Sequence, residues 1–158
     1  MLDISQFREF IVRPALDALM LYSPEAEELL VATCAQESLG GAYLAQEHGP
    51  AKGVYQMEPA THDDLWRTTL ENNHGLRFKI MMGLNVMSLP KADRMVWDLQ
   101  YATMMARVFY ARIPMPLPKA DDLDAIWDYY KAHWNTALGA AKKDAFVDNY
   151  HRFTGKPY

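Results

Sequence analysis

The strongest local instruction in this chain is the tripeptide Ser23-Pro24-Glu25. A serine hydroxyl at an N-cap accepts a bond from an otherwise unpaired amide, and a proline at the first helical position has no amide to satisfy. Acidic residues in the first turn suit the positive end of the helix dipole. The helix opened there runs through Leu29, Leu30, Ala32 and Cys34 to about Ser38, where Gly40-Gly41 stops it. Helical spacing recurs along the chain. Ile4, Phe7, Phe10 and Ile11 define a first helix with a bend expected at Pro14. Thr61-His62-Asp63-Asp64 opens another through Leu65, Trp66 and Leu70. A long helix is expected over 91–113, with Met95, Leu99, Ala102, Ala106 and Phe109 on one stripe. Pro114, Pro116 and Pro118 make a stiff turn, and two further helices follow near 122–134 and 140–153. Residues 42–59 read as irregular with a short hairpin, and 72–90 as loop. Strand signals are nearly absent. The expected fold is mainly α, a single domain over 1–158 with a short irregular or small β segment.

A chain of 158 residues, half of them hydrophobic, can build one independent core without a disulfide. Its lone cysteine, Cys34, lies in an apolar helical stretch and reads as a buried, inert thiol. The net charge is −4 and the basic residues are scattered, which argues against a nucleic-acid partner. Lys142-Lys143, the one dense basic spot, reads as a solvated helix face. Asp3, Arg8, Glu9, Arg13 and Asp17 interrupt the amino-terminal segment, so no secretory signal is expected, and no apolar run approaches the length of a membrane span. The expected place of synthesis is the cytoplasm.

Glu37 is the first residue with chemical promise. It shares a helix face with Leu30, Thr33 and Cys34. A carboxyl on such an apolar face loses hydration, which raises its pKa and favours the proton-donating form. Nineteen residues later, after Ala51-Lys52-Gly53-Val54-Tyr55, comes Gln56, followed by Met57-Glu58-Pro59-Ala60-Thr61. Glu37-Ser38, this Gly-to-Gln turn and the Pro and Thr that open the next helix resemble the signature of the soluble lytic transglycosylases and goose-type lysozymes. The resemblance implies a lysozyme-like fold and cleavage of the β-1,4 bond between N-acetylmuramic acid and N-acetylglucosamine in peptidoglycan. Glu37 would be the general acid, with Ser38, Gly53, Tyr55 and Gln56 in the substrate-binding segment. Gly53 would let the backbone approach a sugar closely, and the Gln56 amide can both donate and accept toward an N-acetyl group.

Glu58 departs from the transglycosylase pattern, in which an uncharged residue is common. Goose-type lysozymes carry an aspartate two positions after the corresponding glutamine. A second carboxylate can activate water for hydrolysis; without one, internal attack by the sugar's own hydroxyl gives an anhydro product. The alternative role for Glu58 is to favour the following helix amino terminus. Further on the resemblance thins. Gln100-Tyr101-Ala102 stands where the family has an asparagine-centred helix, and Trp134-Asn135-Thr136 or Tyr129-Tyr130 stands for its later Ala-Tyr-Asn-like motif. Trp134 takes the expected tyrosine's slot, so the bond to Glu37 is expected from Tyr130 or Tyr101, with Asn135 nearby in the cleft.

His48, His62, His74, His133 and His151 form no zinc-binding spacing, and His62 reads as a solvated helix-start residue. Asp121, Asp122 and Asp124 lack the glycine and terminal glutamate of a calcium loop and read as capping acids. No metal or cofactor is called for. The missing signal and the family likeness together imply a bacteriophage product acting on periplasmic peptidoglycan, either an endolysin released by a holin or a virion protein. The competing expectation is an inactive virion or glycan-binding protein that keeps the fold.

Overall fold

The computed structural model describes residues 1–157 and is mainly helical, with 61% helix and 2% strand. Its centre is the helix that Ser23 starts. The Ser23 hydroxyl accepts from the Ala26 amide at 3.1 Å, and Pro24 occupies the first turn. We number this helix α3, Pro24–Ser38. Two elements precede it: α1, Ile4–Gln6, and α2, Arg13–Ala18, joined by the π-wound segment Phe7–Val12. Later come α4 (Pro59–Asp64), α5 (His74–Leu84), α6 (Arg94–Trp97), α7 (Leu99–Ala111), α8 (Leu123–Tyr130) and α9 (Lys143–Thr154).

Helix α3 is buried on all sides from Ala26 to Ala35, wrapped by the Phe7–Val12 segment, α7, α8 and α9. A helix enclosed on every face belongs in a core. The Thr33 hydroxyl, midway along it, bonds to the Leu29 carbonyl at 2.8 Å and faces the Tyr110 hydroxyl at 2.9 Å, so it is not stranded. Cys34 is fully buried there, and desolvation pushes its thiol up to about 12, out of reach of thiolate chemistry.

The first turns of α3 carry two buried acids. Arg8 reaches Glu27 at 2.8 Å and Glu28 at 3.0 Å, Arg13 reaches Glu27 at 2.9 Å, and Lys156 reaches Glu28 at 3.1 Å. The Tyr150 hydroxyl also donates to Glu28. Burial works to raise both carboxyl pKa values, but these bonds outweigh it and hold both below the usual range. The network ties the amino terminus and α9 to the central helix.

At Pro14 the winding changes: the Arg13 amide bonds to the Arg8 carbonyl, five residues back, and the chain continues as helix into α2. The Phe10 carbonyl, which proline cannot serve, accepts from the Gln100 side chain at 3.1 Å. A correction falls on 72–90, expected as loop. Asn73 caps α5 by accepting from the Leu76 amide at 3.0 Å, and Asn85 closes it in the left-handed conformation. Residues that look like turn formers are thus the caps of a helix. The long helix expected over 91–113 is also divided. Asp98 is extended; its carboxylate accepts from the Tyr101 amide at 2.9 Å and pairs with Arg94 at 2.8 Å, which ends α6 and starts α7. Asp122, as expected, caps the next helix through the Ala125 amide at 2.9 Å.

Between α3 and α4 the chain makes two isolated antiparallel bridges, Ala45 with Lys52 and Lys52 with Met57. This small segment is the extent of sheet-like pairing among the described residues.

Candidate active site

Glu37 sits one residue before the end of α3, partly buried, where the central helix meets the surface. Beyond Ser38 the backbone turns left-handed through Leu39, Gly40 and Gly41 and leads into the bridged segment. The Ser38 side chain fixes this junction. Its hydroxyl donates to the Val54 carbonyl at 2.6 Å and accepts from the Gly41 amide at 2.9 Å. Ser38 is wholly buried, so its work is to pin the bridged segment to α3 rather than to touch a ligand.

Two cavities meet at Glu37. One, of about 480 Å³, is lined by Glu37, Tyr43, Gln46, Glu47, Gln56 and Glu58 among others. The other, of about 220 Å³, is lined by Glu37, Gln56, Glu58, Thr61, Phe109, Trp134 and Asn135 among others. Glu37, Gln56 and Glu58 are shared. The result is a groove that continues to both sides of one carboxyl, largely polar in both parts, with the Phe109 and Trp134 rings added in the smaller.

The Tyr130 hydroxyl, at the end of α8, donates to Glu37 Oε1 at 2.6 Å. The Trp134 side chain, from the π-wound Lys131–Asn135 that continues α8, lines the same cavity and favours the charged form of the carboxyl. Asn135 follows on the same winding and lines the smaller cavity beside Glu37. The loop carrying Asn135 is itself held by Lys131, which donates to Asn135 Oδ1 at 2.6 Å and to the Gly139 carbonyl at 2.9 Å. Desolvation raises the Glu37 pKa from its ordinary 4.5 to about 7, with the Tyr130 bond and Trp134 limiting the rise. Burial and the neighbouring Glu37 carboxylate push the Tyr130 phenol far above its usual value, so it acts as a donor only. A carboxyl balanced near neutrality can give a proton and take one back.

Gln56 lies in the left-handed region, with φ +47, in the turn that closes the bridged segment. Its side-chain amide donates to the Gly53 carbonyl at 2.9 Å, which spends one hydrogen and leaves the rest of the amide for a ligand. Glu58 is exposed and stands at the N-cap of α4 without capping it through its side chain. It borders both parts of the groove.

Three other expected site residues lie elsewhere. Gly53 is buried with φ +74, and a Cβ on it would meet the Met95 carbonyl at 2.5 Å. Its close approach is to α6, not to the groove. Tyr55 is buried with its hydroxyl 3.1 Å from that of Thr103, in the core. Tyr101 is buried on the far side of α4, where its hydroxyl accepts from the Trp66 indole at 2.9 Å and meets His62 Nε2 at 2.7 Å. Tyr130 therefore supplies the phenol at Glu37. His62 is buried rather than solvated, held between Tyr101 and Asp63, whose Oδ1 is 2.8 Å from Nδ1.

Tyr43, Gln46, Glu47, Thr61 and Phe109 also line the groove, and sequence reasoning did not single them out for it. Phe109 was legible only as part of an apolar stripe. Trp134 stands in the expected tyrosine's slot and lines the groove beside Glu37, packed against Phe109 and Tyr110.

Comparison with known protein families, characterised proteins and solved structures gave no match to this chain. The class defined by fold and site together is a mainly α-helical protein with a proton-poised glutamate in an open groove.

Proposed function

We propose that this protein is a peptidoglycan glycosidase of lysozyme-like fold, cleaving the β-1,4 bond from N-acetylmuramic acid to N-acetylglucosamine with Glu37 as general acid and base. The observation that carries the proposal is the Glu37 carboxyl itself: partly buried, raised to about 7, and bonded by Tyr130 in a groove open to either side. Glu37 protonates the bridging oxygen as the bond from the sugar's anomeric carbon to that oxygen breaks. Tyr130 then stabilises the carboxylate left behind, with its hydrogen bond already in place, and Trp134 beside it favours the same charged form. The carboxylate next removes a proton from the attacking oxygen. The extended groove suits a polymeric substrate, and the aromatic faces of Phe109 and Trp134 suit the apolar faces of sugar rings.

Glu58 supports a hydrolytic outcome, because an exposed carboxylate on the same groove can orient and activate water. Attack by water gives a reducing end; attack by the muramic acid's own hydroxyl gives an anhydro end. The family likeness and this site are the grounds for placing the protein in phage lysis or virion entry, with the glycan strand as its partner.

The test is clearing of purified cell walls by wild type and Glu37→Gln, with mass spectrometry of the released fragments. Activity lost in Glu37→Gln supports the assignment, and inactivity of wild type or equal rates would refute it. Reducing ends that give way to anhydro ends in Glu58→Gln would assign water activation to Glu58. A wild type that binds walls without clearing them would identify a glycan-binding protein.

A further inference from the structure

Helix α5 presents a surface that the groove does not use. Leu76 and Ile80 anchor it inward, while Phe78, Met82 and Met87 are 64%, 63% and 98% exposed. Together with Met81 and Val86 they line a shallow apolar depression of about 510 Å³, and Leu89 stands exposed just beyond. Exposed apolar side chains gathered in one place mark a contact surface more often than singly scattered ones do.

The charge of this region runs against that of the whole chain. The protein carries 20 acids against 16 Lys and Arg, yet 72–92 contains no acid at all while holding Arg77, Lys79 and Lys91. Arg77 is offset by Glu71 at the margin of the patch. Lys79 has no acidic partner among the described residues; Asp93, the nearest acid after Lys91, pairs with Lys52 at 2.8 Å and feels Lys91 more weakly. Lys79 thus puts unpaired positive charge on the helix that carries the patch, and Lys91 follows two residues after Leu89.

We propose that the α5 face, Phe78, Met82, Met87 and Leu89 with Lys79 and Lys91, docks on the surface of an anionic lipid bilayer. Apolar side chains flanked by lysines enter the boundary between headgroups and acyl chains while the ammonium groups stay with the phosphates. Met87 stands almost fully clear of the protein, and flexible methionines suit a fluid medium that shapes itself around them. A second copy of the chain fits less well, since a two-fold contact would bring together two faces whose sequence, 72–92, holds basic residues and no acid. The contact lies along the surface, consistent with the finding that no described helix is long and apolar enough to cross a membrane. It is independent of the chemistry at Glu37.

The test is co-sedimentation of the full chain with vesicles of phosphatidylglycerol and phosphatidylcholine, against phosphatidylcholine alone, at low and high salt. Binding is expected only to the anionic vesicles and should weaken with salt. Phe78→Ser with Met82→Ser should abolish it. Lys79→Glu with Lys91→Glu should lower partitioning by at least about tenfold, given roughly fivefold per basic residue near such a surface. Phe78, Met82 and Lys91 are exposed and Lys79 is half-buried, and circular dichroism with thermal melting verifies that the variants fold. Equal binding to both vesicle types, no binding to either, or binding unchanged in either variant would overturn the proposal. So would a concentration-dependent dimer that Phe78→Ser dissolves in a chain that ignores vesicles.

Discussion

Replacing Glu37 by glutamine should make the protein more stable, and the gain should depend on pH. Glutamine keeps the shape of the side chain and an oxygen that can accept from Tyr130, but it never ionises. In the wild type, folding moves the Glu37 pKa from 4.5 to about 7. A group with a raised folded-state pKa contributes its full stability below the unfolded value and loses it as pH rises through the folded one. Below about pH 4.5 the carboxyl is protonated in both states and the two proteins should differ little. Between about 4.5 and 7 the unfolded wild type ionises while the folded form resists, and the wild type falls behind. A rise of two to three units corresponds to about 3 kcal/mol at full effect, and partial exposure of Glu37 reduces this to about 2 kcal/mol. For a domain of this size that is roughly 4–8 °C in melting temperature. Urea denaturation of both proteins from pH 4 to pH 8.5, about half a unit at a time, measures the difference directly. Titration of Glu27 and Glu28 is common to both proteins and cancels. A stability difference that is flat with pH, or a variant less stable than wild type at pH 8, would refute the desolvation account of Glu37.

Three further outcomes follow from the same geometry. Tyr130→Phe removes a donor that favours the Glu37 carboxylate, so the alkaline limb of a wall-clearing pH profile should move above its wild-type midpoint near 7 by roughly one unit; a limb that stays or moves down would show that the phenol does not tune the acid. Gly53→Ala must force a Cβ toward the Met95 carbonyl at a φ of +74, and should cost about 2–4 kcal/mol in urea denaturation; a neutral result would mean that the turn relaxes away from α6. Arg8→Ala leaves Glu27 and Glu28 with weaker company and should cost about 3 kcal/mol at neutral pH. Because both acids have lowered pKa values, their paired stabilisation is present above about 4.5 and lost on acidification, so the difference from wild type should shrink in acid denaturation curves.

Local chemistry explains what the sequence could convey. Ser23, Pro24 and Asp122 act on amides a few residues away, and the helices they start were readable for that reason. Glu37 was readable because its apolar neighbours lie within two turns on the same helix, and Glu58 because a fixed spacing placed it near the turn at Gln56. Asn73 and Asn85 have the same composition as a loop, and only their position at the ends of α5 makes them caps. Tyr55, Tyr101 and Tyr130 illustrate the larger gap. Each is an aromatic with one polar atom, and nothing local says which faces the groove. Partners distant in sequence decide it: Thr103 for Tyr55, His62 and Trp66 for Tyr101, Glu37 for Tyr130. Ser38 was misread for the same reason, since its partner is a backbone carbonyl across the junction.

The left-handed backbone at Gln56 links the firmness of the turn to the wall of the groove. A side chain there carries a strain of about 1 kcal/mol that glycine would not feel. Met20, Leu39, Asn85 and Thr136 take the same sign of φ, so the fold accepts such strain at several side chains. Gln56 differs in bordering both parts of the groove, so backbone strain and the shape of the groove meet in one residue. Gln56→Gly is the substitution by which the two could be pulled apart: a firmer protein with a poorer grip.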